Sequence, residues 1–327
     1  MNHTLSIVIP MYNEAENVAP MLATLHQGLA NYSNPWELIC VDDGSYDATA
    51  KLLKQEAVSY GTHVRILCHR RNFGQTAAMQ TGIDAARGKI IATLDGDLQN
   101  DPADIPRMVD ELLSQDLDLL AGWRKMRHDE ATRKIFSRIA NHIIAKITGV
   151  KLHDYGCSLK VYRAEVLKEI ILFGEMHRFI PVWMANVTSP TRIAETVVTH
   201  HARQFGTSKY GLSRTFRVIL DLFAVFFFLR YRARPGHFFG SIGLVFCSIG
   251  TILMGYLLIL KLVFAESIGS RPLLFIAVLF LLSGVQFLTT GVLAEMLSRI
   301  FFAAFPSNAH PKVQQDDSTP LGWKDPI

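Results

Sequence analysis

Ala92–Pro102 reads ATLDGDLQNDP: it completes the apolar run IIATL and then sets two acids, Asp95 and Asp97, either side of Gly96. IIATL has the length and uncharged centre of a buried strand, so the acids stand at a strand's carboxyl end. On extended backbone, residues two apart point the same way, and both carboxylates face one side. Paired hard oxygens suit Mg²⁺ or Mn²⁺, ions that keep waters and take further ligands from substrate phosphates. Gly96 lets backbone approach closely, and Gln99 adds a neutral oxygen within reach. An Asp-x-Asp alone reads first as a solvated turn, and its place at a strand end brings the two readings level, so the rest of the chain decides.

Outward from this stretch, LSIVI, WELICV, VRILC and DLDLLAG are further apolar runs of strand length. Between them lie amphipathic segments. Val18, Met21, Leu22 and Leu25 follow helical spacing, with Asn13 and Glu16 spaced as a capping pair. Ile105, Met108, Val109, Leu112 and Leu113 repeat the pattern, with Pro102 placed for a first helical turn. Alternating strand and helix predict an open α/β sheet with helices on both faces. Ligands of such sheets sit beyond the carboxyl ends of the strands, where YNE, DDGS and DGDLQ all fall. In VDDGSYDAT, Asp42 or Asp43 could meet a base edge or a ribose hydroxyl, and Gly44 would give the backbone room. The plainer reading is a strand-to-helix turn capped by Ser45 or Asp47. Neither G-x-G-x-x-G nor G-x-x-x-x-G-K-[ST] occurs at a strand end, which argues against a dinucleotide fold and a P-loop ATPase.

Cations come next. Arg124 follows DLDLLAG, Arg133 and Ser137 share a helix face, and RQFGTSKYG offers Arg203, Ser208 and Lys209. Such groups grip phosphates, arginine through its planar fork and lysine as a point charge, or they meet anionic lipid headgroups. His200 and His201 are adjacent and would face opposite ways on a strand, which fits structural histidines. The formal charge of +4 is too small to argue for nucleic acid. Four cysteines form no C-x-x-C pair and read as reduced and structural. MNHTLSIVIPMYNE lacks the pattern of a cleaved signal peptide.

The chain is 49% hydrophobic and 19% charged over 327 residues, and the apolar excess gathers in its last third. Phe238–Leu260 and Pro272–Ala294 are each 23 residues without a charged side chain, long enough to cross a bilayer. The short link KLVFAESIGSR makes them a hairpin. Arg230, Arg232 and Arg234 before it and Arg299 after it outweigh Lys261 and Arg271 in the link, which predicts both ends in the cytoplasm. Val218–Leu229 is apolar but too short to span and is expected to lie in the membrane plane. The tail from Pro306 is polar and expected to be loosely ordered. These shifts divide the chain into 1–212, 213–237, 238–263, 272–298 and 303–327.

With SIVIPMYNE, VDDGS, RNFGQ, LDGDLQ, DYGCSLKVYR and FGTSKY in this order before a hydrophobic helix pair, the sequence resembles the polyprenyl-phosphate glycosyltransferases of glycosyltransferase family 2. The resemblance covers nearly the whole chain; DYGC and FIP lean toward the branch that transfers 4-amino-arabinose derivatives rather than glucose. It implies a GT-A, Rossmann-like nucleotide-sugar domain followed by an amphipathic interfacial helix and a transmembrane hairpin. It further implies inverting, metal-dependent transfer of a sugar from a nucleotide sugar, expected to be UDP-linked, to undecaprenyl phosphate at the cytoplasmic face of the inner membrane, for a cell-envelope glycan or lipid A. Pro10, Tyr12, Glu14 and Asp42 would line the nucleoside pocket. Asp95, Asp97 and Gln99 would hold Mg²⁺ or Mn²⁺ against the diphosphate, over which Arg203 and Lys209 would close. Arg124, Arg133 and Ser137 would bind the lipid phosphate, with Asp97 and Arg124 closest to the chemistry. A homo-oligomer is compatible with this reading. A processive polysaccharide synthase lacks support because no Q-x-x-R-W segment is present. A membrane-anchored binding protein without turnover would not need the acidic set, and a flippase would need intramembrane charge that the two runs lack.

Overall fold

The computed structural model describes residues 4–125, 144–145, 149–172, 174–202, 223, 226–228, 230–231 and 234–304. The chain divides into two compact units, Met1–Phe223 and Ala224–Ile327.

The first unit is built on seven strands: β1 Leu5–Met11, β2 Trp36–Asp42, β3 Val64–Cys68, β4 Ile90–Thr93, β5 Leu119–Trp123, β6 Lys160–Arg163 and β7 Ile193–Val197. They lie in the order β3-β2-β1-β4-β6-β5-β7. β1 pairs in parallel with β2 and β4, and β2 with β3. β6 runs against both β4 and β5, while β7 is parallel to β5. Every residue of β1 is buried, as a central parallel strand covered on both faces requires. The covering helices are α1 Val18–Gly28, α2 Thr49–Tyr60, α3 Gln75–Ala85 and α4 Asp104–Ser114, with the short α5 Ala164–Leu167 and α6 Ile180–Met184. One core packs Ile7 and Ile9 against Val18, Met21, Leu22 and Leu25 of α1 and Ile105, Met108, Val109 and Leu112 of α4. The predicted amphipathic stripes are thus the buried ones.

Two local expectations fail. Asn13 and Glu16 are no capping pair: Asn13 sits at φ 54°, takes the Tyr46 N–H on its side chain and gives its own N–H to Ser45. Asparagine tolerates that left-handed backbone, so it serves the turn instead of the helix. Likewise α4 begins two residues after Pro102, and Pro106 occupies the first turn, where no N–H is needed. The chain runs from β1 outward through β2 and β3, then crosses to the other side of β1 at β4. The order reverses between β1 and β4, and a crevice opens at such a reversal.

The second unit is an antiparallel pair, α7 Pro235–Leu262 and α8 Pro272–Ala304. Pro235 sits at the helix start, where its missing N–H costs nothing, so α7 begins before the predicted residue 238. The seam is glycine: Gly236, Gly243 and Gly250 recur every seven residues on α7, as do Gly284 and Gly291 on α8. A Cβ at Gly284 would lie 2.4 Å from Cys247 Sγ and 2.7 Å from the Cys247 nitrogen; one at Gly243 would lie 2.9 Å from the Gly284 carbonyl. Backbone meets backbone there. At the end of the seam the Glu295 carboxylate accepts the Gly236 N–H at 3.3 Å, an acid at a helix N-terminus. Large apolar side chains such as Ile252, Phe275 and Leu279 point outward, and both helices are long and apolar enough to cross a membrane. Most of the expected in-plane helix, Val218–Leu229, lies outside the described residues.

Candidate active site

At the reversal between β1 and β4 lies an open cavity of about 250 Å³, lined by Pro10, Met11, Tyr12, Glu14, Asp43, Asn72, Gln75, Ala78, Asp95, Gly96 and Asp97. Each stretch comes from the carboxyl end of a strand or the start of the helix after it. Glu14, Asp43, Asp95 and Asp97 place four acids on this wall, and among the described residues no lysine or arginine lines it.

Pro10, Tyr12 and Glu14 reach the wall because β1 ends there, and Tyr12 meets the exposed Tyr46 edge to face at 6.0 Å. Of the two acids after β2, Asp43 lines the cavity and Asp42 does not. Asp42 is the last strand residue, and its carboxylate accepts the Ser45 N–H at 3.3 Å within the turn. Asp43 accepts the N–H groups of Phe73 at 2.9 Å and Gly74 at 2.8 Å and bonds His69 Nδ1 at 2.8 Å. One buried carboxylate therefore folds RNFGQ against the β2 end and sets Asn72 and Gln75 on the wall. Gly44 permits this approach: at φ 68°, a Cβ on it would lie 2.3 Å from the Arg71 carbonyl carbon. The N-cap of the next helix is Ala48 rather than Ser45 or Asp47, although Asp47, one residue earlier, accepts the Thr49 N–H at 2.9 Å.

After β4, Asp95 and Asp97 stand in the cavity with Gly96 between them. Desolvation first, and the Asp97 charge next, push the Asp95 carboxyl up to about 6, while Ser158, Lys160 and Arg124 pull it back. Gln75 Nε2 donates to Asp95 Oδ1 at 2.7 Å. Gln99 is not among the lining residues; its N–H supports Asp97 Oδ1 at 3.3 Å, and its carbonyl accepts the His201 N–H at 2.8 Å. His201 also bonds Asp101 at 3.1 Å, so its work is structural. Two carboxylates two residues apart on one loop, crowded by like charge, fit a divalent cation whose remaining ligands come from water and phosphate.

Arg124, the phosphate-gripping cation expected from the sequence, already has a carboxylate partner. Asp154 holds its guanidinium in a fork, at 2.7 Å and 2.9 Å, with only 12% of the side chain exposed. Burial works to lower its pKa, but the Asp154 hydrogen bonds and charge outweigh it and raise it. Beside it lies a residue that sequence reasoning missed: Lys160, 2% exposed, whose ammonium bonds the Cys157 carbonyl. Burial pushes its pKa down, against the attraction of Asp154 and Asp95. A lysine inside the alternation SLKVYR was the available signal. Arg133, Ser137, Arg203 and Lys209 lie outside the described residues.

Comparison with known proteins matches this architecture. The glycosyl transferase family 2 profile matches residues 6–171. The dodecaprenyl-phosphate galacturonate synthase of Rhizobium johnstonii is 56% identical over 91% of this chain and 88% of its own. The undecaprenyl-phosphate 4-deoxy-4-formamido-L-arabinose transferase of Pectobacterium atrosepticum is 36% identical over 91% of this chain and 89% of its own. Among solved structures, glucosyl-3-phosphoglycerate synthase from Mycobacterium tuberculosis, in complex with Mn²⁺, UDP and glucosyl-3-phosphoglycerate, superposes with a TM-score of 0.54. That match, at 17% identity, covers 69% of this chain and 80% of the other and speaks to the fold. With the acids at the carboxyl edge of a GT-A-like sheet and relatives of this identity along nearly its full length, the chain belongs to glycosyl transferase family 2.

Proposed function

We propose that the protein transfers a glycosyl group from a nucleoside diphosphate sugar to a polyprenyl phosphate at a membrane surface, and that the sugar is a galacturonosyl group carried on UDP. One observation carries the reading: among the described residues, the cavity wall holds four carboxylates and no lysine or arginine. A diphosphate approaches such a wall only with a cation between. Asp95 and Asp97 would hold that cation, Mg²⁺ or Mn²⁺, which when bound would neutralise the diphosphate and stabilise the departing nucleoside diphosphate. The chain's own residues supply the rest. Tyr12 and the Asp43-braced turn shape the nucleoside end of the cavity, and the Arg124–Asp154 fork with Lys160 adds fixed positive charge beside Asp95. A lipid phosphate is an oxyanion at neutral pH, so attack needs alignment and charge neutralisation rather than a general base. Arg203 and Lys209 would serve the diphosphate, and Arg133 and Ser137 the lipid phosphate.

The relative at 56% identity, a galacturonate synthase, supports the uronosyl donor over the formamido-arabinose donor of the relative at 36%. Single displacement would invert the anomeric centre. The arginines at 230, 232, 234 and 299 support both ends of the hairpin on the cytoplasmic side. The test is a transfer assay on purified full-length protein in detergent, with undecaprenyl phosphate and labelled UDP-galacturonate, UDP-glucose and a UDP-formamido-arabinose. EDTA-sensitive label in the lipid phase from UDP-galacturonate is expected. Label from another donor alone would overturn the sugar, and transfer indifferent to EDTA would overturn the metal.

A further inference from the structure

We propose that Ser158 orients the Asp95 carboxylate for its divalent cation, as a positioning residue that acts through hydrogen bonds without touching the ion. The inference rests on the metal-dependent reading of the cavity.

Ser158 lies two residues before β6, at the same sheet edge as the acidic loop, because Thr93 pairs with Lys160 across the antiparallel strands. Its hydroxyl oxygen accepts the Asp95 N–H at 3.3 Å and Asn100 Nδ2 at 2.7 Å. It therefore grips the loop DGDLQN at both ends. A serine hydroxyl has two lone pairs and one proton. With both lone pairs taken by incoming donors, the proton is left for an acceptor, and the Asp95 carboxyl, whose own N–H rests on this oxygen, is drawn toward its charged form by Ser158. Backbone and side chain of one ligand are thus referred to the same atom.

Ser158 is itself fixed. Its carbonyl accepts Thr93 Oγ1 at 3.0 Å, from the strand that leads into the acids. The preceding carbonyl, of Cys157, takes the buried Lys160 ammonium, and Cys157 Sγ reaches Asn100 Oδ1 at 3.6 Å. These contacts leave the 157–158 segment no freedom that the sheet does not share. An aspartate free to turn about two side-chain torsions would sample many carboxylate directions; one held by its own N–H and by a neighbouring hydroxyl samples few. Loss of such outer hydrogen bonds costs about 10–100-fold in metal affinity in metal sites generally.

The test is Mn²⁺ titration of the purified full-length protein in detergent with UDP present, following the electron paramagnetic resonance of free Mn²⁺. Ser158→Ala is expected to keep the number of sites and weaken affinity about 10-fold. In transfer assays its apparent KM for Mn²⁺ should rise by a similar factor, kcat should recover at high Mn²⁺, and the KM for lipid phosphate should hold. Ser158→Thr, which keeps the hydroxyl, should restore most of the affinity. Unchanged affinity in Ser158→Ala would overturn the proposal, as would fewer sites of normal affinity, the mark of a partly misfolded sample. Should Ser158→Ala fail to fold, Ser158→Cys, with a weaker donor and acceptor, takes its place under the same criteria. Wild-type protein that binds no Mn²⁺ beside UDP would instead remove the metal-dependent reading, and this proposal with it.

Discussion

The α/β unit and the helical hairpin solve opposite problems. Around the cavity, polar groups are brought together at a cost: four carboxylates share one wall, and Lys160 and the Arg124–Asp154 fork are buried beside them. In the hairpin nearly every side chain is apolar, and specificity comes from taking side chains away, so that Gly243 and Gly284 let backbones touch. The contrast teaches where each unit is fragile. Removing charge from the cavity should harm chemistry more than folding, whereas adding carbon to the seam should harm packing first.

Asp97→Ala tests the first half and should have the largest effect. Transfer should fall by about 10³-fold or more, the scale of losing a principal electrostatic stabiliser. Thermal unfolding should stay close to wild type or move upward, since a carboxylate that raises the pKa of its neighbour has gone. A variant that turns over normally would remove Asp97 from the site.

Gly284→Leu tests the second half. Its Cβ would intrude on Cys247 at 2.4 Å, and overpacking of this kind costs about 1–3 kcal/mol. Unfolding in detergent should show that loss, while Gly255→Leu, at a position with open space around its Cβ, should show almost none. Equal behaviour of the two variants would dissolve the seam.

A smaller effect joins charge to stability. A carboxyl raised from 3.8 to about 6 binds its proton more tightly folded than unfolded, so its contribution to stability grows as pH falls from about 6 toward 4 and is lost as pH rises through about 6. Asp95→Asn removes that penalty. In EDTA its Tm should exceed that of wild type by more at pH 7 than at pH 5. The gap should be about 2–4 °C, for about 1 kcal/mol after discounting solvent access. A pH-independent gap would show that Asp95 titrates normally.

Much of this was legible in the sequence, for reasons that differ by element. The five apolar runs became β1 to β5, since strands covered by helices favour Ile, Val and Leu. β6 and β7, KVYR and IAETV, escaped notice because charge interrupts them: Lys160 and Arg163 bracket the first, and Glu195 stands at the centre of the second. Asp95 and Asp97 were readable because both lie on one short loop. The choice between Asp42 and Asp43 was not, since it turns on which residue ends the strand, a single step of register. Nor was the capture of Arg124 by Asp154, which lies 30 residues away and comes near only through the pairing of β5 with β6.

That antiparallel pairing has one more consequence. The chain leaves β5 at Trp123 and enters β6 at Lys160 along the same edge of the sheet, so the segment between starts and finishes beside the acids. Closing a longer connection costs only about 0.6 kcal/mol for each doubling of its length. The described ends of that connection, Arg124 at one and Asp154 to Ser158 at the other, are therefore held beside the acidic loop by the sheet itself, and a change of length between them need not disturb either.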